Sequence, residues 1–87
     1  MAVHRTTAGY WKHYHALPAE IRALADKNFE LLKHDPRHPS LRFKRVGEVW
    51  SVRVGIDHRA VALPSADGYD WFWIGGHAEY DRLIRKR

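Results

Sequence analysis

Val49-Trp50-Ser51-Val52-Arg53-Val54, His58-Arg59-Ala60-Val61-Ala62-Leu63 and Tyr69-Asp70-Trp71-Phe72-Trp73-Ile74 are the three segments on which the fold turns. The first alternates apolar and polar residues with the period of two that a half-buried strand requires. The second opens on polar residues and continues apolar. The third is rich in aromatic side chains and reads as a buried central strand. A turn near Ile56-Asp57 separates the first two segments, and Pro64 to Gly68 forms the next turn. Upstream, Leu41-Arg42-Phe43-Lys44 alternates as well, and Gly47-Glu48 offers a tight turn with glycine at its first central position.

The segments before residue 40 are helical in pattern. Residues 2–6 carry only a weak strand pattern. Tyr10, Trp11, Tyr14 and Leu17 recur at helical spacing. Leu17-Pro18-Ala19-Glu20 starts a longer helix: proline suits the first helical position, and Glu20 lies where the helix dipole favours an anion. Ile21, Leu24, Ala25, Phe29 and Leu32 then share one face. Asp35-Pro36 ends the helix, because a residue before proline avoids helical dihedrals. Residues 35–40 form a loop. Gly75-Gly76 breaks the last strand, and His77 to Arg87 forms a short final helix with basic residues at its C-terminal end. The expected order is β-α-α-β-β-β-α, with three strands after the first helices, one fewer than the four segments that carry strand patterning. The expected class is α+β, a small antiparallel sheet with two N-terminal helices packed on one face and the other face open for function.

With 87 residues the chain is expected to form a single domain over residues 1–87. A domain of this size buries only about 60% of its unfolded surface, so its core must be dense; four Trp, four Tyr and three Phe can fill it. There is no cysteine, which excludes disulfides and thiolate metal sites. No apolar run nears the roughly 18 residues of a membrane span, and the N-terminal residues lack a signal-peptide core, so a cytoplasmic location without membrane contact is expected. Fifteen Lys and Arg against ten Asp and Glu give a net charge of +5. Such a domain attracts polyanions, nucleic acid above all, or an acidic protein partner.

Cutting RNA without a metal needs a base for the 2′-hydroxyl, cations for the phosphate and an acid for the leaving 5′-oxygen. His77 and Tyr80, three apart on a helix, can share a face and move protons. They can equally well be structural, with Tyr80 in the core and His77 capping the strand end. Arg42, Lys44, Arg45, Arg53 and Arg59 form a set of strand cations, which could also be a solvated face. Arg42 and Lys44 share a face opposite Leu41 and Phe43. A two-residue turn at Ile56-Asp57 would put Arg53 and Arg59 on opposite faces, and a three-residue turn would unite them. His13 and His15 diverge on a helix, and His34 and His38 straddle a proline loop, so neither a metal nor another cofactor is expected.

Leu17-Pro18 before a helix, Pro39-Ser40-Leu41, Trp50-Ser51-Val52-Arg53-Val54-Gly55, His58-Arg59-Ala60 and the closing Trp73-Ile74-Gly75-Gly76-His77-Ala78-Glu79-Tyr80-Asp81 together resemble the RelE/ParE superfamily of toxins from type II toxin–antitoxin systems, over nearly the whole chain. The resemblance implies a RelE-like, microbial RNase-like fold. In its RelE, HigB and YoeB-like branch it implies cleavage of mRNA in the ribosomal A site, inhibition of translation and a cognate antitoxin protein. By position, Arg53 and Arg59 match the family's basic strand residues, His77 and Tyr80 its C-terminal catalytic segment, and Lys44 a looser match. Two departures stand out: no strand carboxylate can be placed as a base, and two residues separate His77 from Tyr80, where some members have the pair adjacent. ParE-like members share the fold and inhibit DNA gyrase. The Gly-Gly-His-Ala-Glu-Tyr-Asp-Arg ending favours the RNase branch over that alternative and over a non-catalytic RNA- or protein-binding module.

Overall fold

The computed structural model describes residues 2–86; Met1 and the expected helical end at Arg87 lie outside them. In chain order the elements are β1 (Val3–Thr6), α1 (Ala8–His15), α2 (Ala19–His34), a 3-10 turn (Pro39–Leu41), β2 (Lys44–Val46), β3 (Val49–Val54), β4 (His58–Ser65), β5 (Gly68–Gly76) and α3 (His77–Arg85). The α+β class stands. Four strands follow the helices rather than three, and the sheet runs β1-β5-β4-β3-β2.

The sheet is mixed where an antiparallel one was expected. Strands β2 to β5 pair antiparallel through short turns, but β1 lies parallel to β5, with His4 opposite Tyr69 and Arg5 opposite Asp70. The long excursion through both helices and three strands supplies the crossover that a parallel pair demands. Thr7 fixes the start of α1 to the sheet: its hydroxyl accepts from the Tyr10 amide at 3.3 Å and donates to the Trp71 carbonyl at 3.0 Å.

The expected strand Leu41–Lys44 is displaced. Leu41 is buried in the 3-10 turn and Arg42 adopts a left-handed conformation (φ 45°, ψ 43°), so strand alternation begins only at Lys44. The proline and serine at 39 and 40 continue the turn, with the His38 ring accepting from the Ser40 amide. Pro64 and Ser65, expected in a turn, extend β4.

Helices α1 and α2 cover one face of the sheet. There Tyr10, Leu17, Ala25 and Leu32 meet Val52, Val54, Ala60, Ala62, Trp71 and Ile74, with Ile21, Leu24 and Phe29 packed at the margin. The opposite face is not fully open. Helix α3 lays Tyr80, Leu83 and Ile84 over Val49, Val61 and Trp73. A bulge makes both cores possible from one strand. Val61 pairs with Trp73 and Ala62 with Trp71, so Phe72 is the extra residue and the two tryptophans serve opposite faces. Among the described residues no helix is long and apolar enough to cross a membrane.

Candidate functional site

The β3–β4 connection is the three-residue turn Gly55-Ile56-Asp57, with Gly55 at φ +67°. That length settles the position of the two arginines. Val54 pairs with His58 and Arg53 pairs directly with Arg59, so both guanidinium stems leave the sheet on the face that carries α3. Each head is steered by a nearby carbonyl: Arg53 Nε donates to Gly55 O at 3.0 Å, and Arg59 Nη1 donates to His58 O at 2.8 Å. Neither is within ion-pairing distance of a carboxylate among the described residues. Two half-buried cations therefore face each other with no internal counter-charge.

Helix α3 starts beside them. The His77 amide donates to the Asp57 carbonyl at 2.7 Å, tying the first residue of the helix to the β3–β4 turn. Gly75 sits opposite Arg59 in the ladder, and a Cβ there would lie 2.6 Å from Trp73 Cζ2. The absent side chain lets the indole lie along the strand next to Arg59.

Tyr80 and His77 are neighbours, with ring centroids 6.0 Å apart. Tyr80 is 8% exposed. Its ring lies 6.0 Å from the Arg59 guanidinium, and its hydroxyl donates to Ser51 Oγ at 3.2 Å. His77 is exposed, and its Nδ1 is 3.2 Å from Asp81 Oδ2. With Nδ1–H turned to that carboxylate, Nε2 of the neutral ring presents a lone pair outward.

The remaining cations divide. Lys44 pairs with Ser51 and stands on the α3 face. Arg45 pairs with Trp50, belongs to the opposite face and donates from Nε to Gly47 O at 2.9 Å. Arg42 is exposed ahead of β2 and, being left-handed, does not continue the alternation that was expected to align it with Lys44. Arg53, Arg59, His77 and Tyr80 thus come together, Lys44 lies on the same face, and Arg42 and Arg45 stand apart. Among the described residues no three His, Cys, Asp or Glu side chains converge on a common point.

Two members of the cluster escaped the sequence reading. Asp81 had a readable signal, the four-residue helical spacing from His77. Ser51 is the polar member of a strand face whose neighbours there are Val49 and Arg53, but its partner is 29 residues away and gives no local sign.

No protein-family model matches the chain, and no curated protein sequence does. Solved structures match it closely in shape. A chain of the RelB-RelE antitoxin-toxin complex from Methanococcus jannaschii superposes with a TM-score of 0.71 at 13% identity, covering 91% of this chain and 96% of that one. A YoeB/ParE toxin from Agrobacterium tumefaciens gives 0.64 at 17% identity over 88% and 99%. The isolated Escherichia coli RelE toxin gives 0.62 at 11% identity, with all of both chains covered. At these identities the likeness is one of architecture, and it is end to end: the chain carries the fold of the RelE/ParE superfamily of toxins.

Proposed function

We propose that this protein is the toxin of a type II toxin–antitoxin pair, a metal-independent endoribonuclease that cuts mRNA on the ribosome and so inhibits translation in the cytoplasm. The observation that carries the reading is the Arg53–Arg59 pair, two facing cations without an internal carboxylate beside a histidine and a tyrosine. Such a pair is costly unless an anion completes it, and a phosphodiester does so. Arg53 and Arg59 hold the scissile phosphate and take up the charge that develops on it. His77, oriented by Asp81, accepts the 2′-hydroxyl proton. The 2′-oxygen bonds to phosphorus, closing a 2′,3′-cyclic phosphate as the bond to the 5′-oxygen breaks, and the leaving oxygen takes a proton from Tyr80, which solvent then restores. Lys44, Arg42 and Arg45 contact RNA further from the reaction.

The buried Tyr80 hydroxyl, already engaged by Ser51, favours a second reading of that residue, in which it positions Arg59 and α3 and moves no proton. The partner chemistry follows from the same charge. A cognate antitoxin is expected to neutralise the basic face with an acidic or amphipathic segment, as charge complementarity speeds and orients association.

Pulse labelling after induced expression tests the function. A drop in amino-acid incorporation ahead of thymidine incorporation, with mRNA cut in wild type and intact in Arg59→Ala, is expected. Arrest of DNA synthesis first, with intact mRNA, would identify the gyrase-inhibiting alternative, and no arrest of either would point to a non-catalytic binding module.

A further inference from the structure

Arg53 also walls a second cavity. Strand β2 pairs with β3 only as far as Ser51, so the edge of β3 beyond it has no strand neighbour. Helix α2 and the 3-10 turn close over that edge instead, and Asn28 Nδ2 donates to the Arg53 carbonyl at 3.1 Å. The cavity left between them measures about 640 Å³, and Lys27, Asn28, His38, Ser40 and Arg53 line it together with apolar residues such as Ile56. No acidic side chain is among its walls.

Three of the polar groups can offer hydrogen to a ligand: Lys27, Arg53 and the His38 ring. His38 Nδ1 accepts the Ser40 amide at 3.2 Å, and because a backbone N–H can only donate, the neutral ring must carry its proton on Nε2. Ser40 Oγ lies 2.8 Å from the same Nδ1. Lys27 forms no ion pair, and the terminal nitrogens of Arg53 make no hydrogen bond, among the described residues. Ile56, 74% exposed at the turn tip, gives an apolar surface for a ribose or base.

We propose that this cavity is a second phosphate subsite, which holds a backbone phosphodiester next to the one clamped by Arg53 and Arg59. Lys27 and the His38 Nε2–H bind its oxygens, and Arg53 joins the two subsites. The inference rests on the RNA-cutting reading and adds a path for the strand beyond the cleaved bond.

Binding of fluorescent, non-cleavable RNAs carrying a 2′-O-methyl group at every nucleotide tests it, with a two-nucleotide strand, which has a single phosphodiester, and an eight-nucleotide strand titrated at several salt concentrations. Lys27→Ala combined with His38→Ala should weaken the eight-nucleotide strand by about 10-fold or more and lower its salt slope by roughly 0.7 for each phosphate no longer neutralised, while the two-nucleotide strand changes less than about twofold. Arg59→Ala should weaken both strands. Lys27→Glu, an exposed single change checked by thermal unfolding, should exceed Lys27→Ala. Equal effects on both lengths, or none, with Arg59→Ala still weakening them, would overturn the subsite and leave the RNA reading standing. Wild-type protein that binds neither strand would overturn both. Loss of binding to an acidic peptide with RNA binding intact would assign the cavity to a protein partner instead.

Discussion

The Tyr80 hydroxyl donates to Ser51 Oγ at 3.2 Å, joining α3 to β3 through a contact in which both residues are buried. The bond gives α3 a fixed seat over the sheet and holds the tyrosine ring beside Arg59. Tyr80→Phe removes only the hydroxyl and leaves Ser51 Oγ short of a partner, at a cost of about 1–2 kcal/mol. Ser51→Ala leaves the Tyr80 hydroxyl buried and unpaired at a similar cost, and the double variant should lose less than the sum of the two. Thermal unfolding checks this. Cleavage assays on the same variants separate the two roles of Tyr80. If it moves a proton, Tyr80→Phe slows cleavage by roughly 10²-fold and Ser51→Ala, by comparison, hardly does. If it only positions, both variants have similarly mild effects.

Like charges directly opposed across a ladder destabilise a sheet, and Arg53 faces Arg59 with no carboxylate within ion-pairing distance among the described residues. Replacing one should therefore relieve the fold while harming the site. Arg59→Gln is expected to leave unfolding stability unchanged or raised by up to about 0.5 kcal/mol, and to lower cleavage by roughly 10²-fold or more, as loss of a preorganised cation does. Denaturant melts and single-turnover cleavage on one preparation provide the comparison. A large loss of stability would mean that the pair serves the fold.

The alternation of Val49–Val54, the aromatic run of β5, the Pro18 start of α2 and the helix from His77 were all legible, because each depends on local periodicity or on a residue with restricted dihedrals. Gly75-Gly76, expected to break the last strand, instead continues it, paired with Arg59 and His58. What stayed hidden depends on contacts distant in sequence. The parallel seat of β1 is fixed by Arg5 with Asp67, at 2.7 Å, and by Trp71 with His4, neither of which leaves a local mark. The left-handed Arg42 follows from a 3-10 turn that a four-residue alternating pattern mimicked as strand. At the site, the arginine pairing hung on one residue of turn length, which sequence posed as a choice and the ladder resolved. The face expected to be open is half occupied by α3, since an amphipathic helix of nine residues must bury its apolar side somewhere.

His4 makes the fold sensitive to acid. Its ring stacks 5.3 Å from Tyr69, meets Phe29 and Phe43 edge-on, and accepts the Trp71 indole N–H at 3.1 Å on Nδ1. Burial, aided by the charge of Lys33, pushes its pKa below the ordinary 6.5. The imidazolium is thus disfavoured in the fold, and on acidification the unfolded chain takes up this proton first. The His4 contribution to stability is complete above about pH 6.5 and is lost as the pH falls through the lower folded value. His4→Gln keeps an acceptor for Trp71 and cannot titrate. Melting temperatures from about pH 5 to 8 should fall more steeply on the acid side for wild type than for the variant. Parallel curves would show that His4 does not couple protonation to folding.

His77 is the residue on which the proposed chemistry depends most. Its backbone amide, not its ring, ties α3 to Asp57, so His77→Ala keeps the clamp that seats the helix. The ring is exposed and lies beside Tyr80 and the Asp81 carboxylate, so its removal should change stability by less than about 0.5 kcal/mol. A placed proton-transfer group contributes roughly 10²–10⁴ in rate, and His77→Ala should lose that amount of cleavage while melting like wild type. Asp81→Asn isolates the orienting role. It removes the charge that holds Nδ1–H and lets the ring sample the wrong tautomer, so cleavage should fall by about 10-fold, less than for His77→Ala. The Asp81 change should have no further effect in the His77→Ala background, because the two act as one unit. Additive losses would instead make Asp81 an independent contact to RNA. A stably folded His77→Ala protein that cuts mRNA at the wild-type rate would remove His77 from the mechanism, leaving the arginine pair as an anion site with its proton-transfer group elsewhere.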